Sequence, residues 1–320
     1  MKSAMSAFIV VTMSAAALAQ SVEIGAPPGK LVDIGGRKLH VNCTGDGAPT
    51  VILEAGASAF AIDWSLVQPE IAKTNRTCAY DRAGLGWSDA GGSRGVGVVT
   101  DLHAALQAAA ERPPYVLVGA SMGGIYVRLY EARYPNEVLG MVMVDPAHED
   151  RLFAMFQGKP VEIASLTAEQ YRSTYSTGPI RAPRRAPQTG APFDRLPPDL
   201  YKVRVELERR AIAAIPDVVP YETAVKSGEE ERAALAELRE LGTKQDHPLE
   251  DRPLVILTRG DAEQSLKESR ERLARISTNA RHSVIAGAGH EIHLFAPDTV
   301  IQAIQDVLNA VKSNGRLPPR

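Results

Sequence analysis

The strongest constraint on the fold lies between Tyr115 and Tyr134, where the chain reads YVLVGASMGGIYVRLYEARY. A short apolar stretch, Tyr115 to Gly119, runs into a turn of small residues and then into a helical pattern from Met122 to Tyr134. The turn is Gly119-Ala120-Ser121-Met122-Gly123, a G-x-S-x-G sequence in a strand-turn-helix setting. Such a turn holds its serine in a strained backbone conformation and lifts the hydroxyl out of the sheet, while glycine on either side lets neighbouring backbone pass closely. The N-terminus of the following helix adds free N–H groups and a partial positive charge beside Ser121. The bland alternative is a glycine-serine turn with no chemical role, but its place between a strand and a helix favours a nucleophile.

Around this turn, strand and helix patterns alternate. Lys38 to Cys43, Thr50 to Leu53, Thr77 to Tyr80, Tyr115 to Gly119, Val138 to Val144, Leu254 to Thr258 and His282 to Ala286 read as strands. Several are apolar on both faces, as buried parallel strands are. Asp101 to Glu111, Met122 to Tyr134 and Thr299 to Lys312 carry apolar residues at three- and four-residue spacing and read as helices. The expected class is α/β: a mostly parallel central sheet with helices on both faces. Residues 147–251 break the rhythm, with no convincing strand, a Pro- and Arg-rich stretch from Pro179 to Pro198, and helical patterns at Leu200 to Ile215 and Tyr221 to Leu241. They read as a helical cap inserted between core segments 20–146 and 252–320, since a structureless loop of that length inside a compact domain is uncommon.

Residues 1–19, MKSAMSAFIVVTMSAAALA, place Lys2 before an apolar run that ends in the small-x-small triplet Ala17-Leu18-Ala19. That is the pattern of a cleavable signal peptide, and it predicts a secreted or periplasmic protein. The run is shorter than the roughly twenty apolar residues a membrane span needs. Charge excludes another class of partner: 36 Lys and Arg against 38 Asp and Glu give a net charge of -2, without the basic field that nucleic-acid binding requires. The two cysteines, Cys43 and Cys78, are too few and too isolated for a CxxC-type metal site.

Other segments match the order of a known family. Leu53-Glu54-Ala55-Gly56-Ala57 follows an early strand, Asp81-Arg82-Ala83-Gly84-Leu85-Gly86-Trp87-Ser88-Asp89 follows the next, and Gly287-Ala288-Gly289-His290-Glu291-Ile292-His293 follows the last. With the GASMG turn, these make the chain resemble an α/β-hydrolase of a cap-bearing subgroup. The resemblance implies a nucleophile at Ser121 and its base at His290, with His293 the nearest rival. The acid that orients the histidine lies between them in chain order, and two places satisfy that order: Asp145 at the end of the VLGMVMV strand, or the later loop that carries Asp261 and Glu263. The family draws its oxyanion donors from the residue after the nucleophile and from the loop after the third strand, here the N–H groups of Met122 and Ala57. Ala55 stands where many members have His, so the scaffold of that loop differs. Glu54 reads either as a loop-ordering or substrate-facing carboxylate or, more simply, as the salt-bridge partner of Arg82. In the family fold Cys43 and Cys78 fall on neighbouring strands, which allows a disulfide or two packed thiols.

These residues together predict a serine hydrolase acting on a small-molecule carboxylic ester, with no cofactor or metal implied. Amide, peptide or lactone hydrolysis and acyl transfer use the same triad, and a non-catalytic binding protein on this fold is a further alternative. Arg181, Arg184 and Arg185 suggest either an acidic substrate or a solvated cap surface. Oligomeric state is not encoded in any feature of the sequence.

Overall fold

The computed structural model describes residues 24–92, 94–175, 180–181, 185–244 and 247–319. The expected leader, residues 1–19, lies outside them. The central strands are β1 (Lys30–Asp33), β2 (Lys38–Thr44), β3 (Thr50–Glu54), β4 (Thr77–Tyr80), β5 (Tyr115–Ala120) and β6 (Val138–Val144). The segment after β6 adds β7 (Phe153–Phe156), β8 (Lys159–Glu162), β9 (Ile180–Arg181) and β10 (Val218–Val219), and the chain then returns with β11 (Leu254–Arg259) and β12 (Ala280–Ile285). Eight strands form one sheet in the order β1-β2-β4-β3-β5-β6-β11-β12. From β4 to β12 every neighbouring pair is parallel, while β2 runs antiparallel to both β1 and β4.

The helices are α1 (Gln68–Ile71), α2 (Val96–Ala108), α3 (Gly123–Arg133), α4 (Ala168–Arg172), α5 (Pro198–Ala214), α6 (Tyr221–Lys244), α7 (Gln264–Ala274), α8 (Ile292–Phe295) and α9 (Pro297–Ser313). Alternation along the strands divides the core into two layers. Ile52, Leu117, Met141, Met143, Leu254 and Ile256 face one way, onto Val98, Leu102 and Leu106 of α2, Ile125 and Leu129 of α3, and Leu273 of α7. Val51, Leu53, Val116, Val118, Val142, Val144, Val255 and Leu257 face the other way, onto Ile71 of α1 and Val300, Ile304 and Val307 of α9. Burial on both faces explains why these strands read as unbroken apolar runs.

Residues 147–251 carry α4, α5 and α6, as the helical reading expects, but the expectation of no strand there is corrected. Phe153–Phe156 pairs with Lys159–Glu162, and Ile180–Arg181 with Val218–Val219. The first hairpin turns on Gln157 and Gly158, both at positive φ (50° and 75°), the backbone of a tight two-residue hairpin turn. Leu207 of α5 packs on Phe60 and Ile62, while Ala234, Leu235 and Leu238 of α6 join the layer containing α2 and α3.

Candidate active site

Ser121 stands immediately after β5 with φ 51°, a left-handed conformation strained for any side-chain-bearing residue. Its neighbours hold it there: its N–H donates to the Val144 carbonyl at 3.0 Å, and its own carbonyl accepts from Ala147 at 2.7 Å. The glycines are there for space. A β-carbon on Gly119 would lie 2.5 Å from the Gly123 carbonyl oxygen, one on Gly123 2.5 Å from that of Glu54, and one on Gly124 2.4 Å from the Pro146 ring.

Asp145 occupies the matching position at the end of β6, also at positive φ (41°). The loop after β12 delivers His290 between the two residues. Its Nε2 is 2.9 Å from Ser121 Oγ, and its Nδ1 is 2.5 Å from Asp145 Oδ2. The arrangement assigns the proton to Nδ1, which donates to Asp145, and leaves Nε2 to accept from the serine. The hydrogen bond to Asp145 raises the His290 pKa above its ordinary value against the opposing effect of burial. Burial pushes the Asp145 carboxyl upward, but the hydrogen bond and charge of His290, with those of Arg259, outweigh it and hold Asp145 below the usual carboxylate range. Arg259 contributes its backbone N–H at 3.3 Å to Oδ1 and its Nη1 at 3.0 Å to Oδ2.

The two alternative acids lie elsewhere. Glu263 is exposed and pairs with Arg151 and Ser265, and Asp261 is exposed and pairs with Arg259 at 3.1 Å. His293 is buried against Trp64, with ring centroids 4.7 Å apart, and burial depresses its pKa to about 3, so it is neutral at physiological pH. Among the described residues neither the Met122 nor the Ala57 N–H donates a hydrogen bond to another protein group, which leaves both free for a ligand oxygen. Glu54 is fully buried and meets Arg82 and the Tyr80 hydroxyl, so the salt-bridge reading describes its contacts. Burial raises the Glu54 pKa, with Arg82 opposing.

A cavity of about 230 Å³ opens onto Ser121 and His290. Gly56, Ala57 and Ala59 wall it on one side, and Phe193 and Arg204, from the segment between β6 and β11, on another. Arg204, only 1% exposed, reaches Asp63 at 2.9 Å and Glu208 at 2.8 Å and lies 3.4 Å from the centre of the Phe193 ring. Burial pushes Asp63 up to about 6, with the charge of Arg204 opposing. The sequence reading missed Arg204, Asp63 and Arg259, which belong to no local motif and come together only through the fold. Of the three arginines noted between β6 and β11, Arg185 pairs with Glu208, Arg181 is exposed, and Arg184 lies outside the described residues. Cys43 and Cys78 face each other across the β2–β4 pair and are joined by a disulfide.

Comparison with known proteins agrees with this geometry at the level of fold. The family model described as "Alpha/beta hydrolase family" matches residues 50–303. An uncharacterized protein of Schizosaccharomyces pombe is 46% identical over 81 residues, which is 25% of this chain and 15% of that protein. The chain spans less than half the length of each of the curated relatives reported by the sequence comparison. Among solved structures, a thermophilic esterase from Thermogutta terrifontis superposes with a TM-score of 0.57 at 19% identity, covering 89% of this chain and 99% of that one. An epoxide hydrolase of Vigna radiata gives a TM-score of 0.61 at 17% identity, covering 88% and 98%.

Proposed function

The chain belongs to the alpha/beta hydrolase family, and from that premise we propose that it is a serine hydrolase cleaving a small carboxylic ester through an acyl-enzyme intermediate. The observation that carries the proposal is the continuous hydrogen-bonded line from Ser121 Oγ through His290 to Asp145. In the proposed reaction His290 Nε2 takes the serine proton as Oγ attacks the ester carbonyl carbon. The carbonyl oxygen gains negative charge and is met by the N–H groups of Met122 and Ala57. Nε2 then returns the proton to the departing alcohol, and a water activated by the same nitrogen attacks the acyl-enzyme and releases the acid. Asp145 fixes the ring by its Nδ1–H and stabilises the imidazolium that forms twice per cycle.

The family also contains epoxide hydrolases, and the resemblance implies an aspartate at the elbow for that chemistry; Ser121 there supports acyl transfer instead. The modest size of the cavity and its small walls at Ala57 and Ala59 support a short acyl group. The leader-like residues 1–19 and the cross-strand disulfide support an oxidising compartment outside the cytoplasm. The test is hydrolysis of p-nitrophenyl esters from acetate to palmitate by the purified protein, with Ser121→Ala beside it. We expect a maximum at the short end and loss of activity in the variant; equal rates for the two proteins would overturn the reading.

A further inference from the structure

We propose that Arg82 is a positioning residue for the oxyanion hole: its guanidinium grips the carbonyls of Ala55, Gly56 and Ala57 from behind and thereby turns the Ala57 N–H toward Ser121. The proposal rests on the serine-hydrolase reading above and adds a determinant of its rate. Arg82 Nη1 donates to the Ala55 carbonyl at 2.8 Å, and Nη2 donates to the Gly56 carbonyl and to that of Ala57 at 3.0 Å. One side chain therefore satisfies three consecutive acceptors of a loop that has neither helix nor strand to fix it.

The consequence for the N–H groups follows from peptide geometry. The Gly56 carbonyl and the Ala57 N–H belong to one peptide unit, and the cis bonds among the described residues are all elsewhere, at X-Pro steps. In a trans peptide these two groups point in opposite directions. Holding the Gly56 oxygen on Arg82 sets the Ala57 N–H on the opposite side, and Ala57 lines the same cavity as Ser121. The loop is also pressed against Ser121 and the turn behind it: a β-carbon on Gly56 would lie 3.4 Å from Ser121 Cβ, and one on Gly123 2.5 Å from the Glu54 carbonyl oxygen and 3.0 Å from that of Ala55.

Arg82 is itself held by two groups, Glu54 and the Tyr126 ring. Glu54, fully buried at the end of β3, pairs with it, and the Tyr80 hydroxyl donates to the other Glu54 oxygen. The Tyr126 ring of α3 lies 5.4 Å below the guanidinium carbon. The planar fork accounts for the choice of arginine, because a lysine ammonium cannot reach one carboxylate and three carbonyls in the same plane. Many relatives implied by the family resemblance carry His at the position of Ala55; here the clamp comes instead from the DRAG segment after β4.

The test measures two things on wild type, Arg82→Lys, Arg82→Ala and the paired variant Glu54→Gln with Arg82→Met. One is the rate of Ser121 labelling by a fluorophosphonate, whose P=O oxygen occupies the oxyanion position. The other is kcat and KM on p-nitrophenyl acetate across pH. The paired variant guards against misfolding, because it removes the buried charge of both partners while keeping their volume. With melting temperature near wild type, we expect labelling and kcat to fall by roughly 100-fold, as for loss of one oxyanion donor. KM should stay within about threefold, and Arg82→Lys should recover only part of the loss. The pH midpoint set by His290 should stay in place, which separates a lost oxyanion donor from a disturbed triad. A folded paired variant that labels and turns over within about threefold of wild type overturns the clamp. A wild type whose Ser121 is not labelled at all overturns the serine-hydrolase reading instead.

Discussion

Replacing Asp145 with Asn tests the acid assignment, and the hydrogen bonds around it set the expected size of the effect. Among the described residues, Oδ2 accepts from two donors, His290 Nδ1 at 2.5 Å and Arg259 Nη1 at 3.0 Å, whereas Oδ1 accepts from the Arg259 backbone N–H at 3.3 Å. An asparagine keeps the two better bonds by placing its oxygen at the Oδ2 site and its NH₂ where the weaker bond was. The histidine then retains the tautomer that accepts from Ser121, and the principal loss is the negative charge facing the imidazolium. Two unit charges about 4 Å apart at an effective dielectric near 20 interact by about 4 kcal/mol. At 1.36 kcal/mol per decade that is a loss of about 10³ in kcat, with KM changed little. The assay is steady-state hydrolysis of a short p-nitrophenyl ester, with Asp261→Asn and Glu263→Gln as controls; both side chains are exposed and contact neither His290 nor Ser121, so wild-type rates are expected. Turnover of Asp145→Asn within a few-fold of wild type, or a large loss in either control, refutes the reasoning. A loss much beyond 10³ shows that the amide takes the other orientation and forces the wrong tautomer.

Other perturbations probe separate parts of the structure. Only neutral His290 can act as base, and Asp145 holds its pKa above the ordinary 6.5, so kcat/KM should rise with pH through a midpoint above that value and then level off. In Asp145→Asn the midpoint should move to lower pH; a midpoint unchanged or raised contradicts the pairing. Gly123→Ala places a β-carbon 2.5 Å from the Glu54 carbonyl, so little soluble protein is expected from its expression, whereas Gly92→Ala, with open space around it, should express normally. Replacing Cys43 and Cys78 together with Ser opens a loop of 35 residues' separation, and chemical denaturation should show a loss of roughly 2–4 kcal/mol; equal stability with and without reductant argues against the bridge.

The turn that carries Ser121 was legible in the sequence because its constraint is local: strand, tight turn and helix are contiguous, and glycine is needed where backbone approaches within van der Waals contact. His290 was legible for the same reason, standing in a Gly-rich loop directly after the last strand. The carboxylate that bonds His290 was less so. Asp145 ends β6 and Asp261 and Glu263 follow β11, and these strands are neighbours in the sheet; the register Leu254↔Met141 through Leu257↔Val144 sets Asp145 beside Thr258, and the β11–β12 register carries that alignment on to the strand whose following loop holds His290. The hairpin at Phe153–Glu162 was missed because its turn is Gln-Gly, a weaker marker of a two-residue hairpin than Asn-Gly or Asp-Gly.

Arg204 lay furthest from what the sequence could reveal, and it joins the two parts of the molecule. It sits on α5, between β6 and β11, is almost wholly buried, and meets Asp63, which follows the loop of Gly56 to Ala59. Removing Arg204 leaves the buried carboxyl of Asp63 without its cationic partner, whereas Arg204 without Asp63 still pairs with Glu208; stranding a buried charge typically costs about 3–5 kcal/mol. Arg204→Met alone should therefore destabilise the protein far more than Arg204→Met combined with Asp63→Asn and Glu208→Gln, which removes all three charges together. The comparison needs only melting temperatures. If the single and triple variants melt together, α5 and the turn before it are held in place by the apolar contacts of Phe193, Leu196 and Leu207, and the ion pair contributes little to their attachment. If only the single variant collapses, the wall of the cavity opposite Ser121 is set by charge balance, and substitutions there will alter substrate size and stability together.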